Sequence, residues 1–155
     1  MPAESEHAEV LVPAPFLVAG FIIASILLHL ALPLPAPAPD VVRPLGFVFV
    51  LGGLLLAGLA ALRMRRAHTP VSPHRPSTAL VTDGPYGFTR NPIYLGFFLI
   101  FLGFTLIAGT LWGMVLAPVL PLTVDRLIIC AEETYLHDRF QGDYTQYRSR
   151  VRKWL

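Results

Sequence analysis

The chain has 155 residues, 54% of them hydrophobic and 14% charged, with a formal net charge of +2. A soluble domain carries about 25% charged residues, so this composition excludes an ordinary soluble globule and indicates a membrane protein of single-domain size. The weak, clustered positive charge gives no basis for nucleic-acid binding, and the single cysteine, Cys130, excludes an intrachain disulfide.

Residues 1–13 carry Glu4, Glu6 and Glu9 and no Lys or Arg, unlike the positive start of a signal peptide. They are expected to fray. Phe16 to Leu32 is an apolar run within the ~17–25 residues that span a bilayer. Its one ionisable residue, His29, sits near the end, where a partly wet side chain is expected. Pro33-Leu34-Pro35-Ala36-Pro37-Ala38-Pro39 predicts a stiff, extended connector, because alternate prolines cannot continue a helix.

Val42 to Leu62 is the second predicted span. Gly53, Ala57 and Ala61 form a small-residue stripe along which another helix can approach. Arg63, Arg65 and Arg66 close the span and mark its cytosolic end. Residues 67–91 form a polar connector with Pro70, Pro73, Pro76 and Pro85, long enough to suggest a functional loop. Within it, Ala79 to Thr82 reads as an extended piece running into a turn at Asp83-Gly84.

Asn91 is a favoured N-cap residue and Pro92 suits the first helical position, so a helix is predicted to begin at Pro92. Ile93 to Val124 is continuously apolar, and Gly109-Thr110 is its natural break. The prediction is a hairpin of Pro92–Ala108 and Leu111–Thr123, with Gly96, Gly103 and Gly113 allowing close packing. Pro118 and Pro121 should kink or shorten the second arm. Asp125 and Arg126 mark the return to water. From Ala131 the apolar residues Leu136, Phe140, Tyr144, Tyr147 and Val151 share one helical face, opposite Arg139, Arg148, Arg150 and Arg152. Gly142 is a candidate interruption. By pattern alone this is an interfacial helix on an anionic leaflet, although Glu132 and Glu133 gain nothing from such lipid.

The fold class that follows is an all-α integral membrane protein of about four transmembrane helices. It includes a helical hairpin and ends in a cytosolic or interfacial amphipathic helix. Residues 1–66 form an N-terminal helix pair, and residues 67–155 form the region that carries chemistry. Tyr86, Arg90, Asn91, Tyr94, Arg126, Glu132, Glu133, His137 and Tyr144 all fall on the cytosolic face. The helix start at Pro92 offers unpaired N–H groups and partial positive charge to an anion. Glu132 and Glu133 point about 100° apart on a helix, so one can bind a ligand while the other pairs with an arginine. The histidines His7, His29, His68, His74 and His137 are scattered without metal-ligand spacing, and no metal is expected.

Two blocks carry a resemblance. They are Leu80-Val81-Thr82-x-Gly84-Pro85-Tyr86 with Thr89-Arg90-Asn91-Pro92-x-Tyr94-Leu95-Gly96, and Glu132-Glu133-x-x-Leu136-x-x-x-Phe140 with Tyr144, Tyr147, Val151 and Trp154. In order and spacing, over roughly residues 78–155, they resemble the isoprenylcysteine carboxyl methyltransferase family and its bacterial relatives. The resemblance implies an integral membrane methyltransferase that uses S-adenosyl-L-methionine on a lipophilic small-molecule or lipid substrate. By position, Thr78, Ala79, Leu80, Val81, Tyr86, Asn91, Pro92, Ile93, Tyr94, Glu132 and Tyr144 would line the cofactor site. Arg126 or Arg90 would hold an anionic group of the substrate, and Glu133 or His137 could take a proton from an amine or thiol. The family usually has His where this chain has Asn91, which suggests that the position binds rather than acts as a base. Ile128 stands where the eukaryotic enzymes have an arginine linked to the carboxylate substrate, and Arg126 is the nearest arginine.

Two other readings compete. Sterol-reductase-type membrane enzymes share an Arg-x-x-x-Tyr-x-Gly element at a helix start and use a nicotinamide cofactor. A non-catalytic membrane scaffold is the other.

Overall fold

In lipid every backbone polar group has to be satisfied within the chain, and a helix does this locally. The apolar blocks therefore fold as helices. The computed structural model describes residues 10, 12–34, 39–72 and 75–155. The expected fraying of residues 1–13 and the proline connector lie largely outside the described residues. The elements are α1 (Ala14–Ala31), α2 (Pro39–Arg66), a 3-10 turn (Gly84–Gly87), α3 (Pro92–Ala108), α4 (Leu111–Leu116), α5 (Val119–Val124), a π turn (Asp125–Ile129) and α6 (Cys130–Arg150). Among the described residues there is no strand, and the all-α membrane fold is as expected. The helices α1 and α2, and the helical run from Leu111, are long and apolar enough to cross a membrane. The 17 residues of α3 stand at the lower limit of a span.

The tightest joint is the antiparallel pair α2–α3. A Cβ added to Gly53 would lie 2.5 Å from the Gly96 carbonyl oxygen, and one on Gly96 would lie 2.7 Å from that of Gly53. Two turns further on, Gly46 and Gly103 meet in the same way, at 2.8 and 2.6 Å. Backbone thus rests on backbone, and the pair gains dispersion contacts that larger side chains would prevent. The seam continues through Ala57 and the fully buried Ala60. Ala61, expected in the stripe, is only half-buried. Four residues make 400° of helix, so a strict four-residue repeat drifts about 40° per step off the contact line.

The hairpin breaks where expected. Gly109 takes φ 64°, a left-handed conformation that glycine adopts without penalty, and its N–H bonds the Thr105 carbonyl. The Thr110 side chain then caps α4, accepting from the Trp112 N–H at 3.2 Å. A side chain on Gly113 would collide with Thr105. The second arm is not one helix to Thr123: it breaks between α4 and α5 at Ala117-Pro118, since proline removes a donor and clashes with the preceding turn. Nor does the helix end at Asp125. The π turn carries it directly into α6, with the Cys130 N–H bonded to the Asp125 carbonyl.

The helical run from Leu111 to Arg150 covers 40 residues, about 60 Å at 1.5 Å per residue. That is twice the ~30 Å hydrocarbon core, so the charged α6 stands outside the membrane. Its bend falls at Gln141 (φ 44°, ψ −112°), one residue before the expected Gly142, and the glycine that follows has no side chain to obstruct it. Tyr144 and Tyr147 on its apolar face are buried against protein, so this face covers the polar loop instead of lying on lipid. The remaining core sits between α1, α3 and α5, where Phe21 packs edge-on to Phe101 at 6.2 Å. At the opposite end, Trp112 donates to the Leu32 carbonyl at 2.8 Å and Leu111 to that of Leu34 at 3.0 Å.

Candidate active site

Four pieces converge at one end of the bundle. The first is the start of α3. Pro92 occupies the first turn as expected, but Asn91 does not cap it. The Asn91 side chain donates instead to the Lys153 carbonyl at 3.0 Å, and Asn91 is buried. The expected cap is therefore lost to a partner 62 residues away. The N–H groups of Ile93 and Tyr94 are left without an intrahelical acceptor, and both residues line a cavity.

The second piece is the loop after α2. His68 takes φ 54° and Thr69 is buried. The Thr69 hydroxyl accepts from the N–H of Thr78 at 3.0 Å, and the Thr78 hydroxyl donates back to the His68 carbonyl at 2.7 Å. These bonds lay Ala79, Leu80 and Val81 along the cavity wall. The third piece is the turn at Gly84 (φ 60°), against which the Arg63 side chain lies while pairing with Asp83 at 2.8 Å. It delivers Tyr86, whose carbonyl accepts from the Tyr147 hydroxyl at 2.7 Å.

The fourth piece is α6. Its Tyr135 hydroxyl accepts from the Ser77 N–H at 2.9 Å, and Arg139 donates to the Ser77 carbonyl at 2.6 Å. Adjacent glutamates divide as their 100° separation requires. Glu132 takes the Tyr94 hydroxyl at 2.6 Å on one oxygen. Glu133 has both oxygens paired, one to Arg90 at 2.7 Å and the other to Lys153 at 3.1 Å. The Arg90 side chain is 8% exposed.

Together these pieces enclose a cavity of ≈ 120 Å3. The chain has five tyrosines, and all of them, Tyr86, Tyr94, Tyr135, Tyr144 and Tyr147, line it beside Glu132 and Glu133. Arg90 is the one cationic residue of that lining among the described residues. Burial pushes the Glu132 carboxyl up to about 7; the Tyr94 hydrogen bond pulls it down and the Glu133 charge raises it. Burial likewise raises Tyr86, with Glu132 adding to the effect. Burial works against the charged Lys153, but its hydrogen bonds to Asp125 and Glu133 outweigh that and raise it.

Of the residues picked out from sequence, Ala79, Leu80, Val81, Tyr86, Arg90, Asn91, Pro92, Ile93, Tyr94, Glu132, Glu133 and Tyr144 line this one cavity. Thr78 does not, because its side chain turns back to His68. Arg126 is exposed on the π turn, and His137 is exposed on α6 with its ring edge-on to Tyr144 at 6.4 Å; neither is among the residues that line the cavity. Sequence reading missed Thr69, Ser77, Tyr135 and Lys153. Tyr135 stands three residues after Glu132, one helical turn on, which was a usable signal. Lys153 gave none, since its contacts are all long-range.

Comparisons with known proteins bear on the family of the chain. Residues 41–143 match the phospholipid methyltransferase family. The protein-S-isoprenylcysteine O-methyltransferase of Schizosaccharomyces pombe is 34% identical over 85 residues, 55% of this chain and 36% of that one. The chain thus aligns with about a third of that relative's length. An uncharacterized protein of Haemophilus influenzae is 35% identical over 63 residues, 41% of this chain and 100% of its own. No solved structure matches. With the match running from α2 through both glutamates into α6, the chain belongs to the phospholipid methyltransferase family, as a membrane protein resembling the isoprenylcysteine methyltransferases.

Proposed function

We propose that the chain is a methyltransferase that binds S-adenosyl-L-methionine in this cavity and methylates a lipophilic substrate at the cytosolic membrane face. A carboxylate acceptor, giving a methyl ester, is the form we favour. The observation that carries the reading is the lining itself: an uncapped helix start, a glutamate and five tyrosines around one cavity where polar loop meets apolar helix.

The residues fit the group. The free N–H groups of Ile93 and Tyr94 can receive its carboxylate. Glu132, with one oxygen held by Tyr94, can accept from its ammonium or ribose hydroxyls. The tyrosine faces suit a sulfonium cation. When bound, the cofactor supplies an electrophilic methyl group and a neutral thioether leaving group. Arg90, the cation of the cavity wall, is where an anionic acceptor would be held. Glu133, already paired on both oxygens, serves best by fixing Arg90. A carboxylate is ionised at neutral pH and needs no base, so alignment and exclusion of water supply most of the rate. Arg126 is not among the residues that line the cavity, so the acceptor is assigned to Arg90 in this reading.

The test is incubation of purified, detergent-solubilised protein and membrane lipid extract with methyl-labelled S-adenosylmethionine, and separately with labelled NADPH. Base-labile label in the organic phase supports the reading. Transfer from NADPH alone would replace it with the reductase reading, and inertness toward both would leave a scaffold.

A further inference from the structure

Beyond Arg90 and the two glutamates, the segment after α6 ties the site together. The Lys153 carbonyl accepts from the Thr89 hydroxyl at 3.1 Å and from the Asn91 amide at 3.0 Å. The Arg152 carbonyl accepts from the Arg90 N–H at 3.0 Å. The Lys153 ammonium bridges Asp125 at 2.9 Å and Glu133 at 3.1 Å. Trp154 packs into the core beside Tyr94 and lines a small apolar crevice with it. One short segment thus holds the last residues before α3, the π turn and α6.

The charges form a chain, Asp125–Lys153–Glu133–Arg90, that alternates in sign and ends at the cavity's one cation. The side chains of Glu133 and Arg90 are both largely out of water. Removing a partner from such a pair leaves a buried charge uncompensated, which is more disruptive than the loss of one exposed bridge.

We propose that Lys153 is a positioning residue of this site: through its carbonyl it sets the start of α3, and through its ammonium it fixes Glu133 and hence Arg90. This rests on the methyltransferase reading for its functional consequence, but not for its structural one. Two measurements separate them. The first is amide hydrogen exchange over residues 89–95 in wild type, Lys153→Met and Lys153→Arg. The second is S-adenosylmethionine binding by the same proteins.

In Lys153→Met, exchange at residues 89–95 should quicken while the middle of α3 keeps its protection. The dissociation constant should rise about tenfold or more, and Lys153→Arg should recover most of the loss. Wild-type exchange at residues 89–95 in a folded Lys153→Met protein overturns the proposal, as does wild-type affinity alongside a wild type that binds. If Lys153→Met does not fold, Lys153→Gln decides, because it keeps the backbone carbonyl and a polar side chain while removing the ammonium that pairs with Glu133. Faster exchange at residues 89–95 supports the proposal, and unchanged exchange overturns it. A wild type that does not bind S-adenosylmethionine ends the methyl-donor reading and leaves the exchange comparison valid.

Discussion

Glu132 shows how a single carboxyl can set the pH behaviour of the site. Its value rises from 4.5 to about 7, chiefly through burial. Below the ordinary value both folded and unfolded chains hold the proton, and stability is unaffected by pH. Between 4.5 and about 7 the unfolded chain releases it while the folded chain keeps it, so stability should fall across that window and level above it. A ligand that donates hydrogen bonds to the carboxylate works in the opposite direction. S-adenosylmethionine affinity should rise by about tenfold per pH unit below about 7 and flatten above, as calorimetry in buffers of different ionisation enthalpy would reveal. Glu132→Gln should abolish that slope. Arg126→Ala should leave cofactor affinity and turnover unchanged, since Arg126 is exposed outside the cavity; a large drop in turnover would restore the role suggested for it from sequence.

At the scale of elements, α2 against α3 is the joint that holds the site to the membrane. Gly96 lies one turn above Pro92 and meets both Gly53 and Ala57. Gly96→Val should overpack this seam, costing about 2 kcal/mol or more, measured as thermal unfolding in detergent. Gly52→Ala, where a Cβ meets nothing within 4 Å, should leave stability unchanged. Helix positions were legible in the sequence because apolar runs, Gly109 and the pair Asn91-Pro92 act through local physics. The α4–α5 break at Pro118 followed from the same logic. The fate of the Asn91 side chain was not legible, because a local propensity to cap was overridden by the Lys153 carbonyl. The continuation through the π turn was likewise hidden, since Asp125 and Arg126 look like an exit from the membrane whether or not the helix ends there.

For the whole molecule, the chain separates into a lipid-facing bundle and a polar end that carries the cavity. The outer faces of α1 and α2 keep Phe16, Leu30, Val41 and Leu51 exposed, as a membrane solvent requires. The polar end gathers loop, turn, helix start and α6 around the five tyrosines. Much of that gathering was legible, because Tyr86, Arg90, Tyr94, Glu132 and Tyr144 stand in motifs with fixed local spacing. Their walls were not, since Thr69, Ser77 and Lys153 act through backbone bonds between distant segments. The most direct measurement is calorimetric titration of S-adenosylmethionine into the detergent-solubilised protein, with Glu132→Ala beside it. Saturable binding by wild type that is lost in the folded mutant is the result this account predicts. No binding by a well-folded wild type, or equal binding by the mutant, would contradict it.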